Sequence, residues 1–224
     1  MLLAIEGIDG AGKGTLCREL LVRAKAAGIN AATLSFPRYE ETQFSDLVGR
    51  YLRGEMGAID QVPVRQAALL YAGDRFESRD RLLALIADHD LVILDRYVAS
   101  NIAYNGAKVS GQARDELMTW IEQLEFGMFE LPRPDLTLLL ATSTALADRL
   151  VGEKAARSYT DETRDMHEAD RGYLDLVADV YGQLAVAGGD HWLVVDPTDG
   201  AGNLRPPDDI AAGIWQHPDL AALG

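Results

Sequence analysis

The sequence predicts an α/β fold of three layers, in which a five-stranded parallel sheet lies between two layers of helices. Three observations lead to this prediction. Short apolar runs alternate with longer helical stretches along the whole chain. The runs are rich in Ile, Leu and Val, which is typical of strands that are buried on both faces. A glycine-rich turn with the sequence GIDGAGKGT directly follows the first run.

The order of the elements supports right-handed strand–helix–strand units, because parallel strands need a crossover connection. The predicted strands are 2–6, 31–36, 91–95, 135–141 and 191–196. The predicted helical stretches are 13–27, 43–53, 63–88, 112–126, 144–151 and 165–187. Residues 199–209 form a turn-rich tail before a short final helix. No linker or internal repeat interrupts this order, so we expect one domain over 1–224.

Composition excludes several classes of protein. The chain is 48% hydrophobic and 25% charged and has no apolar run long enough for a transmembrane helix. Its one cysteine, Cys17, cannot form an internal disulfide, so we expect a cytoplasmic location and a buried thiol. The formal net charge of −14 disfavours binding to nucleic acids and to anionic membranes. A small anionic ligand would require the few cations to gather in one place.

Residues 7–15, after the first strand, fit the phosphate-binding P-loop pattern apart from one position. The glycines allow backbone N–H groups to close around phosphate oxygens, and the next helix points its positive N-terminus at them. Lys13 adds a charge for the outer phosphates. Gly14 stands where the pattern has Ser or Thr, and Thr15 follows one residue later. Thr15 is therefore expected to reach the phosphates or a metal-bound water.

Two aspartates are candidate metal ligands. Asp95 ends an apolar strand and would help to hold Mg²⁺. Asp9 lies inside the P-loop, where it would hold Mg²⁺ or accept a hydrogen bond from a sugar hydroxyl. The alternative for Asp9 is a turn residue that bonds its own backbone.

Ligands of such folds bind beyond the carboxyl ends of the strands, where arginines gather in this sequence. Arg38 follows the second strand within FPRY, and Arg96 follows the third. The flat ring of Phe36 would stack on a base, or would simply belong to the core. The planar fork of Arg96 suits a phosphate, with a surface salt bridge as the alternative. The segment 149–168 is either a solvated loop or a mobile lid that carries arginines.

Four stretches together resemble bacterial thymidylate kinases. IEGIDGAGKGT, FPRY, ILDRYVASNIAY and the basic segment 149–164 occur in this order, and the similarity runs from Met1 to about Asp196. The resemblance implies a P-loop NTPase fold and ATP-dependent, Mg²⁺-dependent transfer of a phosphoryl group to dTMP. It also implies a homodimer and a lid at about 149–164.

The resemblance further implies roles for individual residues. Phe36 would stack on thymine, Arg75 and Asn101 would read its polar edge, and Tyr104 would exclude a ribose 2′-hydroxyl. Arg38 and Arg96 would hold the acceptor phosphate, with Tyr39 and Ser100 nearby. Asp9 and Glu168 would serve the metal or the 3′-hydroxyl. The implied ATP-binding residues are Gly7, Asp9, Gly10, Ala11, Gly12, Lys13, Gly14, Thr15 and Arg149.

Some members of this family carry a catalytic arginine in the P-loop, where this chain has Gly10. The charge would then come from the lid, with Arg149, Arg157 and Arg164 as candidates and Arg157 as our choice. Lys13, Arg96 and Asp9 complete the predicted catalytic set. Two other functions stay open at this point. One is a kinase for another monophosphate or for a deoxynucleoside, and the other is a non-catalytic ATP-binding protein.

Overall fold

A computed structural model describes residues 1–58, 61–157 and 171–224, the side chains of 153–157 and 171 excepted. Five parallel strands form one sheet in the order β2-β3-β1-β4-β5. They are β1 (Leu2–Glu6), β2 (Ala31–Ser35), β3 (Leu91–Asp95), β4 (Leu136–Leu140) and β5 (Trp192–Val195). The predicted fold class and all five predicted strands are thereby confirmed, with ends that differ by one residue at most.

Helices cover both faces of this sheet. They are α1 (Lys13–Ala26), α2 (Gln43–Leu52), α3 (Val64–Glu77), α4 (Arg79–Asp88), α5 (Val98–Gly106), α6 (Gln112–Glu122), α7 (Thr144–Arg157), α8 (Arg171–Gly188), α9 (Pro207–Ile214) and α10 (Pro218–Ala221). A π-helical turn, Gln123–Met128, extends α6. No helix of the described ranges is both long enough and apolar enough to cross a membrane.

Successive side chains of β1 enter opposite halves of the core. Leu3 and Ile5 pack with α1, α8 and α9, whereas Leu2 and Ala4 pack on the side of α3 to α6. This alternation follows from the two-residue period of a strand. All four side chains are buried, which explains why the strand reads as a continuous apolar run.

Two predicted helices differ in the structure, and one helix of the structure has no predicted counterpart. The predicted helix 63–88 is interrupted at Ser78, whose hydroxyl donates to the Asp74 carbonyl at 2.7 Å and so competes with the helical backbone bonds. The predicted helix 144–151 continues to Arg157, so residues 149–157 of the predicted lid are helical. Helix α5 was not predicted, because its buried polar residues Ser100 and Asn101 hide the amphipathic pattern.

The register of the strands positions the site. β1 pairs with β3 so that Ile5 lies opposite Asp95, and the Arg96 amide donates to the Ile5 carbonyl at 3.0 Å. The Phe36 amide donates to the Asp95 carbonyl at 3.0 Å, which brings the end of β2 to the same edge. The three segments that follow β1, β2 and β3 therefore meet at one edge of the sheet.

Candidate active site

The turn after β1 has the backbone of a phosphate cradle. Gly7, Gly10 and Gly12 all have positive φ angles, of 146°, 77° and 95°. A Cβ atom on Gly7 would lie 2.8 Å from the Leu140 carbonyl oxygen, so no other residue fits there. Lys13 Nζ donates to the carbonyl of Gly7 at 3.1 Å and to that of Ile8 at 2.8 Å. The ammonium group therefore lies across the loop that the glycines form.

The charge of Lys13 is destabilised in this position. Burial is the largest cause that lowers the pKa of Lys13 to about 8, and the nearby Arg96 guanidinium acts in the same direction, against the opposing effect of Asp9 and Asp95. A bound polyphosphate would supply the negative charge that restores the ammonium form. The loop is therefore suited to anionic ligands.

Gly14 faces the candidate metal ligand Asp95. A Cβ atom on Gly14 would lie 3.2 Å from Asp95 Oδ2, closer than most real contacts of this kind. Because Gly14 has no side chain, the space between the Asp95 carboxylate and the start of α1 stays free of a Cβ atom. The Thr15 hydroxyl accepts a hydrogen bond from Arg18 Nη2 at 3.0 Å.

Arg96 is fixed by contacts with the P-loop and with α5. It has a left-handed backbone with φ of 66°, which is rare for a residue with a long side chain. Its guanidinium forms an ion pair with Asp9, and Nη1 donates to the Gly7 carbonyl and to Ser100 Oγ, both at 3.2 Å. Tyr104 Oη donates to Asp9 Oδ2 at 2.6 Å, and its ring lies 5.2 Å from the Arg96 guanidinium carbon. Asp9 therefore holds both Arg96 and Tyr104.

Glu6 is a buried carboxylate that the sequence analysis missed. It accepts hydrogen bonds from the Tyr97 amide at 2.8 Å, from Ser100 Oγ at 2.6 Å and from Tyr181 Oη at 2.9 Å. The carboxylate thus satisfies amide donors at the start of α5, where a negative charge is favourable. The signal that could have revealed it is a glutamate at the end of an otherwise apolar strand.

A cleft with about 540 Å³ of empty space, including the solvent space at its mouth, opens between these residues. Eight of the nine residues predicted to bind the acceptor line it. They are Asp9, Phe36, Tyr39, Arg75, Arg96, Ser100, Asn101 and Tyr104. The structure thus brings together residues from the segments that follow β1, β2 and β3 and from helices α3 and α5 in a single cleft.

Arg38 is the ninth predicted residue, and it lies outside the lining. Its amide donates to Asp74 Oδ2 at 3.0 Å, and its Nη1 donates to Ser78 Oγ at 3.1 Å. The guanidinium also pairs with Glu41. Its Nε is buried and has no hydrogen-bond partner within the described ranges.

Several aromatic residues line the cleft, Phe36 and Tyr71 among them. Phe36 is buried in the core and packs on Tyr97, with 6.0 Å between the ring centroids, yet it also lines the cleft. The two interpretations of Phe36 from the sequence are therefore compatible. Tyr71 of α3 also belongs to the lining, and sequence reasoning missed it. It lies in a charged stretch that reads as a solvated helix.

The far end of the cleft contains a buried charge pair. Arg75 donates to the Glu125 carboxylate twice, from Nε at 2.5 Å and from Nη2 at 2.7 Å. Asn101 Nδ2 donates to the same carboxylate at 2.7 Å and to the Ala68 carbonyl at 3.0 Å. Glu125 is completely buried and was not predicted from the sequence.

A second cleft lies on the other side of the P-loop. Its walls include Gly12, Thr15 and Arg18 from the loop and α1, and Pro197 and Arg205 from the C-terminal tail. The sequence assigned no role to this tail, because its turn-rich composition does not reveal that it folds back on the P-loop. The clefts therefore flank residues 7–15.

Helix α7 packs directly on the P-loop. A Cβ atom on Gly10 would lie 2.7 Å from the Ala147 carbonyl oxygen and 2.8 Å from Val151 Cγ2. The helix therefore occupies the space that a side chain at residue 10 would need. Arg149 is exposed on this helix. The side chain of Arg157, and Arg164 and Glu168 as a whole, lie outside the described residues.

Comparison with known proteins agrees with this geometry. The family model for thymidylate kinase matches residues 5–196. The thymidylate kinase of Mycobacterium tuberculosis is 41% identical over 213 residues, which cover 93% of this chain and 99% of that protein. The human thymidylate kinase is 31% identical over 64% of this chain and 62% of its own length. The chain therefore belongs to the thymidylate kinase family.

Proposed function

We propose that this chain transfers the γ-phosphoryl group of ATP to dTMP and so produces dTDP and ADP. The observation that carries the proposal is the position of the acceptor cleft. Arg96 lies between this cleft and the P-loop, with its guanidinium in contact with Gly7, Asp9 and Ser100. An acceptor phosphate held by Arg96 would therefore lie next to the donor phosphates.

The residues supply positioning and charge, which are the main requirements of phosphoryl transfer. Backbone amides of the P-loop and Lys13 would neutralise the donor phosphates. Arg96 would align the acceptor phosphate, and Arg38, whose guanidinium pairs with Glu41 in the free protein, would add a second contact. The second cleft, between Arg18 and Arg205, would receive the nucleoside part of ATP.

The donor set fits Mg²⁺ held mainly by the substrate. The described residues contain no group of three or more His, Cys, Asp or Glu that could hold a metal by themselves. Mg²⁺ in nucleotide enzymes binds through one or two carboxylates together with phosphate oxygens. Asp95, left open by Gly14, would be the main protein ligand, and Thr15 would bond a metal-bound water. Asp9 is a weaker candidate because it pairs with Arg96. The ion would neutralise charge on the transferring phosphoryl group.

Three further expectations belong to this proposal. The segment 149–164 would act as a lid that brings arginines onto the donor phosphates. Exposed apolar side chains of α3 and the π-helical turn, Leu69, Phe76 and Met128, would support a homodimer. A cytoplasmic location would agree with the single buried cysteine.

The test is ADP release from ATP and Mg²⁺ with dTMP, dUMP, UMP, dCMP, AMP and thymidine as acceptors. We expect a strong preference for dTMP. Turnover of thymidine alone would indicate a deoxynucleoside kinase, for which Arg38 and Arg96 have no evident use. ATP binding without turnover of any acceptor would indicate a non-catalytic ATP-binding protein.

A further inference from the structure

We propose that Glu125 is a positioning residue that determines which pyrimidine edge the cleft accepts. The inference rests on the proposed function, since it concerns how the base of the monophosphate is read. One buried carboxylate holds both of the residues expected to contact that base, Arg75 and Asn101. Glu125 reaches the base only through them, because it does not line the cleft.

The hydrogen bonds determine the orientation of the Asn101 amide. A carboxylate and a backbone carbonyl only accept hydrogen bonds, so the group that contacts both Glu125 and Ala68 must be the Asn101 NH₂. The Asn101 Oδ1 atom accepts from Asn105 Nδ2 at 2.8 Å, which agrees with this orientation. A carbonyl oxygen has two lone pairs, so Oδ1 can accept one more hydrogen bond. Asn101 therefore offers an acceptor to the cleft.

Glu125 also determines what Arg75 offers. Its two oxygens bind Nε and Nη2 of the guanidinium, which leaves Nη1 as the nitrogen for a ligand. Arginine has no acceptor atom, so this position can only donate. The fixed pair thus presents one donor and one acceptor side by side.

This pattern fits a pyrimidine with a 4-keto group and an N3–H, and it opposes cytosine. Thymine and uracil accept at O4 and donate at N3, whereas cytosine donates from its 4-amino group and accepts at N3. With cytosine, the Arg75 donor would face the 4-amino donor and the Asn101 acceptor would face the N3 acceptor. Buried polar groups left unpaired in this way allow a site to reject an analogue strongly. The 5-methyl group is not part of this readout.

The experiment compares Glu125→Gln with the wild type for dTMP and dCMP. Oε1 of Glu125 accepts from both Arg75 Nη2 and Asn101 Nδ2, and Oε2 accepts from Arg75 Nε. A glutamine has one acceptor oxygen and one NH₂ donor, so either placement of its amide sets the NH₂ against a donor of this pair and removes at least one of the three hydrogen bonds. We expect the ratio of kcat/KM values, dTMP over dCMP, to fall at least about tenfold. The loss should lie in the KM for dTMP, with kcat and the KM for ATP nearly unchanged, because the phosphate end of the site is intact. Equilibrium binding of both nucleotides, measured by calorimetry, gives the same ratio independently of turnover.

The matched control is Glu122→Gln, which makes the same charge change at an exposed position one turn earlier. It should leave the ratio unchanged. Glu125→Asp keeps both acceptor oxygens and should give an intermediate ratio, and it serves as the test if Glu125→Gln does not fold. Thermal denaturation identifies folded variants.

The outcomes separate the two proposals. A folded Glu125 variant with an unchanged dTMP/dCMP ratio overturns the role of Glu125 alone. If the wild type binds dTMP in preference to dCMP but does not turn it over, the proposed function fails and the binding ratio still decides the role of Glu125. A wild type that binds both nucleotides equally overturns the role of Glu125, and turnover of dTMP then decides the proposed function by itself.

Discussion

The P-loop and the acceptor cleft hold their ligands with different parts of the chain. The P-loop is one continuous segment of nine residues, 7–15, and its shape comes from glycines with positive φ angles. The acceptor cleft is built from side chains that are far apart in the sequence, such as Arg75 with Glu125 and Arg96 with Asp9. The donor side therefore depends on backbone geometry, and the acceptor side depends on paired side chains.

The largest expected effect tests the backbone part of this comparison. Gly10 and Gly28 have the same φ angle of 77°, but a Cβ would collide with α7 only at Gly10. Gly10→Ala should displace α7 and lower kcat/KM for ATP by about 100-fold, since small misplacements in a phosphoryl-transfer site are costly. Gly28→Ala should lose about 1 kcal/mol of stability from the strained backbone and keep its activity. Steady-state kinetics and thermal denaturation check both variants. Equal activity of the two would show that α7 does not shape the loop.

Arg96→Lys tests the side-chain part of the comparison. The guanidinium makes contacts with Gly7, Asp9 and Ser100, and a single ammonium group cannot reproduce this planar arrangement. We expect kcat/KM to fall at least about tenfold, which corresponds to more than ~1.4 kcal/mol of transition-state stabilisation. The measurement is initial-rate kinetics at varied dTMP. A near-wild-type rate would remove Arg96 from the mechanism.

Tyr104→Phe separates the ring of Tyr104 from its hydroxyl. The change removes the hydrogen bond to Asp9 Oδ2 at 2.6 Å and keeps the ion pair between Asp9 and Arg96. We expect about 1–2 kcal/mol lower stability and a KM for dTMP raised about threefold, because Arg96 is held less firmly. The KM for ATP should not change. Discrimination against UMP should persist, since phenylalanine keeps the bulk, and its loss would assign that discrimination to the hydroxyl.

The smallest expected effect is a difference in pH dependence between the two sides. The pKa of Lys13 is lowered to about 8 by burial, so its ammonium loses its proton as the pH rises through that value. The neutral amine attracts phosphate less, so the KM for ATP should rise a few-fold between about pH 7.5 and 9. Arginines serve the acceptor side and stay charged, so the KM for dTMP should stay constant over this range. A KM for ATP that stays constant over this range would contradict the loss of the Lys13 proton.

The same difference explains what the sequence could predict. The P-loop was found because all its parts lie within one short segment, where strand, glycines and lysine follow each other. The pairing of Arg75 with Glu125 spans 50 positions and that of Glu6 with Tyr181 spans 175, so neither leaves a local pattern. Tyr71 looked like part of a solvated helix because its neighbours are charged, although the fold turns it toward the cleft. The carboxyl ends of the strands indicate where the cleft lies, but they do not indicate which buried residues fix the side chains that line it.

Three arginines expected to serve the acceptor each carry a carboxylate partner of their own. Arg38 pairs with Glu41, Arg75 with Glu125 and Arg96 with Asp9. In the free protein these partners act as internal counter-ions. An incoming phosphate must therefore compete with a tethered carboxylate for Arg38 or Arg96, and an anion that makes only one contact gains little by displacing it. This competition would keep abundant small anions, such as inorganic phosphate, from occupying the cleft in place of a complete nucleotide.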